Sequence, residues 1–342
     1  MKEQFIEDIA EIKEGEWIEE VFLVKSIQLA VRKDAKTYLM LKVSDKTGII
    51  DCKLWDRADE FIDKISADDF VKIKGVVTSY QGTKEINIRH IEKVDDSVVN
   101  TRDFVAVSVY DTGEMVQELY SVISNIKNSY LRRLLTLFYE DKTFMDLFTI
   151  APAAKDIHHA FLSGLLEHSL EIVRLCIDIK RHYDDVDLDL LITGAILHDI
   201  GKIRELKYKK SLDYTDEGRL IGHIMLGVEM AEEKIQQIKD FPPKLAMIVK
   251  HLIISHQGTY EWGSPKMPQT LEAIILHYLD DLSAKINIFR KAFETETREK
   301  GDFSIFNKAL GRYLYKGRNT DSISADTLNK QDTNAITQRK LF

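Results

Sequence analysis

Residues 190–202 read LLITGAILHDIGK, an uncharged run from Leu190 to Leu197 that ends in the pair His198-Asp199, followed by Gly201 and Lys202. The run is too apolar for a surface helix and far short of the roughly 20 residues that cross a membrane, so it reads as a buried helix. Gly201 supplies permissive backbone at the helix stop. The chemistry lies in the pair. A carboxylate beside an imidazole at the end of so apolar a helix is expensive to bury unless something neutralises it. A metal ion does so, because imidazole and carboxylate together suit Mn, Fe, Co, Ni or Zn. One pair cannot close such a site, so further ligands must come from other segments.

Candidates stand on both sides: His168 in GLLEHSLEI, His223 in GRLIGHIMLG, His251 and His256 in KHLIISHQG, and Asp280 in ILHYLDDLSAK. Each lies in an apolar pattern of helical period, and such patterns run from about residue 113 to about 315. Taken singly, each histidine is more often a hydrogen-bonded core residue than a ligand. Taken together, five imidazoles and two carboxylates in one bundle core are hard to stabilise without an ion. The run Lys202, Arg204, Lys207, Lys209 and Lys210 directly follows the pair and is placed to meet phosphate.

Upstream the period changes to two. Segments 17–32, 37–45, 48–56, 69–80 and 83–94 alternate apolar and polar residues, with turn signals at 45–48 and 81–82. A short amphipathic stretch, RADEFIDKI, falls between the third and fourth segments. Five strands with a helix in that position predict the Greek-key barrel of the oligonucleotide/oligosaccharide-binding fold. The expected organisation is therefore β followed by all-α: a barrel over 1–96, a connector over 97–112, a helical bundle over 113–315 and a polar tail over 316–342. Phe22, Tyr38, Trp55 and Tyr80 are candidate stacking platforms. Phe22, Tyr38 and Trp55 sit in strongly alternating strands where core is the commoner fate, so the basic loop Arg32, Lys33 and Lys36 is the expected strand contact.

The 342 residues are 44% hydrophobic and 30% charged, with a formal net charge of −8, which excludes a disordered chain and a uniformly basic nucleic-acid binder. Phosphate must then meet positive charge locally, and binding should weaken steeply with salt. Cys52 and Cys176 lie far apart in apolar surroundings, which suits a reducing cytoplasm. The acidic, amphipathic start does not read as a secretory signal.

The ordered series His168, His198-Asp199, His223, His256 and Asp280, centred on HDIGK, resembles the HD-domain metal-dependent phosphohydrolase superfamily. More narrowly, APAAKDIHHAFLSGLLEHS, ILHDIGKI, IGHIMLG and LIISHQGTYEWGSPKMPQTLEAIILHYLDDLSAK, together with the barrel before them, resemble the YhaM family of 3′→5′ exoribonucleases. The likeness runs from about Trp17 to Arg312. It implies that His168, His198 and Asp280 hold one metal, that Asp199 bridges, and that His223 and His256 hold a second, with His251 as a further participant. It also implies Asp199 and Lys202 as catalytic residues, with Lys202 near the scissile phosphate. Arg204 in the basic run, and the pair His158 and His159, are further candidates to steady the phosphate, a structural role at a helix start being the alternative for the pair. The implied reaction is two-metal phosphodiester hydrolysis, Mn2+ favoured, releasing nucleoside 5′-monophosphates from single-stranded RNA or single-stranded DNA. Ser163, Gln257 and Ser283 depart from the family pattern, which has Gly, His and Asp there.

Two other readings compete. An HD hydrolase of small nucleotides (nucleotidase, triphosphatase or cyclic-nucleotide phosphodiesterase) has no need of a strand-holding barrel. A non-catalytic nucleic-acid-binding regulator has no need of an intact His168, His198, Asp199 and Asp280 set. Exposed barrel surfaces also suit assembly into a homo-oligomer.

Overall fold

The alternating segments close into a five-stranded barrel in the computed structural model, which describes residues 2–32, 34–80, 82–155, 160–208, 212–294 and 302–315. After a short helix α1 (Ile6–Glu11) come β1 (Trp17–Val31), β2 (Thr37–Asp45), β3 (Gly48–Leu54), α2 (Ala58–Phe61), β4 (Phe70–Tyr80) and β5 (Thr83–Lys93). The spatial order is β1-β2-β3-β5-β4, closed by β1 on β4. Among the barrel strands, only β3 and β5 pair in parallel. The inward positions of each strand, among them Phe22, Leu39, Leu41, Val43, Ile73, Ile86 and Ile91, fill the interior. Gly75 sits at an irregularity of the β4–β5 ladder, where a side chain would press to 2.7 Å from the Asn87 carbonyl. Only glycine lets the two strands approach there.

The connector is ordered, not a loose tether. Phe104 and Val105 are buried, and Phe104 packs with Leu23 and Phe70 at one end of the barrel. Two residues on, Val107 bridges Leu162 in parallel, with hydrogen bonds of 2.8 and 2.9 Å on either side. One short segment therefore ties the barrel to the start of the helix that carries His168.

The helices follow: α3 (Thr112–Asn125), α4 (Ser129–Glu140), α5 (Lys142–Phe148), α6 (Gly164–Lys180), α7 (Leu188–Leu197), α8 (Lys202–Glu205), the small hairpin β6 (Leu206–Lys207) and β7 (Asp213–Tyr214), then α9 (Asp216–Leu220), α10 (His223–Gln236), α11 (Pro243–Ser255) and α12 (Leu271–Glu294). Asp187 caps α7 by accepting from the Leu190 N–H at 3.0 Å. α7 is buried from Leu190 to Leu197, and Gly194 lies close enough to Leu252 and Leu276 that a β-carbon would crowd both.

Gly201 has φ −62°, an ordinary helical value, so its role differs from the permissive backbone expected of it. A β-carbon there would lie 2.0 Å from the His223 carbonyl oxygen. The residue is small because α10 begins against it.

Ser163, in contrast, precedes α6 with φ +67°, a left-handed conformation that glycine adopts more easily. By contacts the chain divides into two units, Met1–Asp281 and Leu282–Phe342. In the second, residues 302–315 are not helical as their pattern suggested. Phe303 bridges Tyr315 and Asn307 bridges Arg312, with ring pairs Phe303–Tyr315 and Phe306–Tyr313. The expected tail lies outside the described residues.

Candidate metal centre

Five helices meet at the end of α7. α6 brings His168 and α7 is capped by His198, with Asp199 next. α10 begins at His223, α11 is capped by His256, and α12 carries Asp280. Two groups result: His168, His198 and Asp280, and Asp199, His223 and His256, each with its donor atoms within 4.8 Å of one another. His168 Nε2 stands 3.1 Å from Asp280 Oδ1 and 3.2 Å from His198 Nε2. Asp199 serves both groups. Its Oδ2 is 3.3 Å from His198 Nε2, while its Oδ1 faces His223 Nε2 at 3.5 Å and His256 Nε2 at 3.6 Å.

The far side of each ring sets the chemistry of the near side. His198 Nδ1 lies 2.9 Å from the Ala195 carbonyl, His256 Nδ1 2.7 Å from the Ile253 carbonyl, and His223 Nδ1 2.9 Å from Glu205 Oε1. Each acceptor fixes the ring proton on Nδ1, so each Nε2 turns a lone pair inward. Asp199 Oδ1 is buried and has no hydrogen-bond partner among the described residues. Two nitrogen lone pairs cannot satisfy that oxygen, but a cation among the three can. The residues present therefore fit a divalent metal ion, with nitrogen and oxygen donors and no thiolate.

Electrostatics agree. Burial alone would raise the Asp199 carboxyl, but the Lys202 ammonium and the surrounding imidazoles hold it well below the usual carboxylate range. Asp280 is likewise held low against burial, by the His168 hydrogen bond and the charge of His198. Burial pulls His168 down, and His256 to about 4, which keeps both rings neutral as ligands must be. Burial is the largest influence on His198 and lowers it, but the charge and hydrogen bond of Asp199 together with the charge of Asp280 outweigh it, so His198 is raised. The pair of carboxylates attracts positive charge, whether a proton or a metal.

The other expected residues are placed differently. Lys202 Nζ holds Asp199 Oδ2 at 2.5 Å, so its charge orients the Asp199 carboxylate. Arg204 is engaged by Glu217 and by Glu229. His251 is not brought into the centre: its Nε2 accepts from the Gln269 N–H at 2.9 Å. On the barrel, Arg32 lies 3.4 Å from Asp34 and over the Trp55 ring at 5.2 Å, and Lys36 is exposed. Lys33, His158 and His159 lie outside the described residues, as do Lys209 and Lys210.

One functional residue escaped the sequence reading. Glu205, which stands between Arg204 and Lys207 in the basic run, is buried and accepts from both the backbone N–H and Nδ1 of His223. Its only sequence signal is a lone acid among basic residues, about one turn beyond the HDIGK stretch. Glu205→Ala is expected to weaken metal binding at the Asp199, His223 and His256 group by roughly 10- to 100-fold, read by competition with a chelating dye. Unchanged affinity would reduce Glu205 to a cap on α10.

Barrel and centre together define the class: an oligonucleotide-binding barrel joined to a helical HD domain whose His/Asp donors are arranged for divalent metal. A family model described as HD domain matches residues 165–285, and one described as OB-fold nucleic acid binding domain matches residues 23–94. The 3'-5' exoribonuclease YhaM of Bacillus subtilis (strain 168) is 35% identical to this chain over 82% of it and 88% of the relative. The protein of that name from Bacillus velezensis is 35% identical, with the same coverage of 82% and 88%. The chain belongs to the YhaM family. Among the described residues no helix is long and apolar enough to cross a membrane.

Proposed function

We propose that this chain is a metal-dependent exonuclease that shortens single-stranded RNA from its 3′ end and releases nucleoside 5′-monophosphates. The observation that carries the reading is the pair of His/Asp groups joined through Asp199, in a chain whose relatives are named 3'-5' exoribonucleases. His168, His198 and Asp280 with Asp199 would hold one ion; Asp199, His223 and His256 would hold the other, Mn2+ being favoured. When bound, two such ions supply a nucleophile at neutral pH and stabilise charge on the phosphoryl oxygens. Lys202 keeps Asp199 ionised and oriented, and Glu205 does the same for the His223 ring. The proposed division of labour is a strand-holding barrel over 1–96, the connector 97–112 and a catalytic bundle over 113–315. Buried, reduced Cys52 and Cys176 accord with a cytoplasmic protein.

The barrel face supports a single strand as substrate. Tyr38 on β2 and Trp55 just after β3 are stacked, with centroids 4.6 Å apart and planes at 21°. Both are half-buried, not core as expected. Exposed Tyr80 stands at the β4–β5 turn with Lys53 Nζ 4.7 Å from its ring. Aromatic faces interleaved with cations suit successive bases and their phosphates. Trp55→Ala is expected to raise KM for single-stranded RNA by roughly 5- to 100-fold, the worth of stacking about one base, with kcat on saturating substrate little changed. An unaltered KM would move the strand elsewhere.

A substrate panel tests the reading against its main competitor. The metal-loaded protein should degrade single-stranded RNA and leave nucleoside triphosphates and cyclic nucleotides intact, with single-stranded DNA included to measure sugar preference. Turnover of mononucleotides without attack on RNA would overturn it.

A further inference from the structure

The two donor groups are not equivalent. His168, His198 and Asp280 are joined by Asp199 Oδ2, which gives that group two imidazoles and two carboxylates. The second group has Asp199 Oδ1, His223 and His256, and one neutral neighbour: the Gln257 Nε2 atom lies 3.4 Å from His223 Nε2. The direction of that contact follows from the ring's other side. Because Glu205 holds the proton on Nδ1, His223 Nε2 is an acceptor and the Gln257 amide N–H is the donor. The lone pair that the amide occupies is the one an ion in this group requires.

Gln257 has little freedom to leave. It follows His256 at the end of α11, and its Oε1 would meet a β-carbon on Gly263 at 3.4 Å, so the loop from Gly258 to Gly263 runs against it. Gly258 in turn is pressed on the His277 ring, whose Nδ1 lies 2.9 Å from the His256 carbonyl. The amide is thus held beside His223 by the same loop that fixes His256.

We propose that Gln257 makes the Asp199, His223 and His256 group the weaker of two metal sites, by donating its amide N–H to His223 Nε2 in competition with the ion. Metal then enters in two separable steps: first at His168, His198, Asp280 and Asp199, then at His223 and His256 once the Gln257 hydrogen bond has been given up. The inference rests on the proposed metal-dependent function and adds an order of filling, set by one side chain.

The test is calorimetric titration of the metal-stripped full-length protein with MnCl2, with the hexaaqua Mn2+ signal in electron paramagnetic resonance counting free ion. The wild type should bind two ions in a tight and a weaker step. Gln257→Met, which keeps the volume but donates nothing, and Gln257→Ala should both tighten the second step by roughly 3- to 10-fold, the net worth of one neutral hydrogen bond, and leave the first unchanged. His223→Ala should abolish the second step alone. Two bound ions with a second step unmoved or weakened in both Gln257 variants would overturn the proposal while sparing the metal-dependent function. A protein that binds no Mn2+ would overturn both.

Discussion

Asp199→Asn is expected to lower hydrolysis of single-stranded RNA by about 10³-fold or more, with the circular dichroism spectrum unchanged. Asparagine keeps the shape of the side chain but removes the charge, and Asp199 is the one residue that faces both donor groups, Oδ2 toward His198 and Oδ1 toward His223 and His256. Losing preorganised charge at a single point of a phosphoryl-transfer site commonly costs 10²- to 10³-fold, and here both donor groups lose the carboxylate charge they face in common. The substitution also strips Lys202 Nζ of its partner at 2.5 Å in a largely buried position. Some loss of stability should accompany the loss of activity, so the variant is best compared with Asp199→Asn combined with Lys202→Met. If that pair recovers stability without activity, the carboxylate's charge is the catalytic element. Activity within tenfold of wild type in folded Asp199→Asn would remove the centre from the mechanism.

Stripping the metal should lower the melting temperature by roughly 5 to 15 °C, recoverable on adding Mn2+. The reason lies in the donors. Four imidazole nitrogens and two carboxylates converge within a few ångströms, and Asp199 Oδ1 is buried without a hydrogen bond. Ligand present at 100 to 1,000 times its dissociation constant adds roughly 3 to 4 kcal/mol, and a unit of this size shifts by about 2 to 4 °C per kcal/mol. Scanning calorimetry of stripped and reloaded protein measures it. A melting temperature indifferent to metal would mean that these side chains satisfy one another.

Part of the candidate His/Asp series was legible because it sits where helices end or begin: His198 and His256 at C-caps, His223 at the first position of α10. Helix ends are marked by local chemistry that a sequence displays. The barrel was legible for the same reason, its strands bounded by turn residues and its inward positions fixed by a period of two. Apolar context does not reveal rotation, and the structure does not bring His251 to the centre expected for it. Five residues from His256 on α11, it points about 140° away at 100° per residue, and instead meets the Gln269 backbone.

Glu205 was invisible in its role because its partner lies 18 residues on, brought back by the turn between α8 and α10. The stacking of Tyr38 on Trp55 follows from the register of the β2–β3 hairpin, in which Leu39 pairs with Leu54, and an alternating pattern alone does not give that register. Gly201 shows the limit of local reasoning from the other side. Its backbone is ordinary, and its smallness answers to the His223 carbonyl of a distant helix.

The most direct measurement uses two copies of one single-stranded RNA, labelled at the 5′ or at the 3′ end, and incubated with metal-stripped protein before and after reloading with Mn2+. No reaction is expected without metal; with it, the 3′ label leaves at once as a mononucleotide while the 5′-labelled strand shortens stepwise. Equal cleavage in the presence of chelator, or early release of the 5′ label, would contradict it.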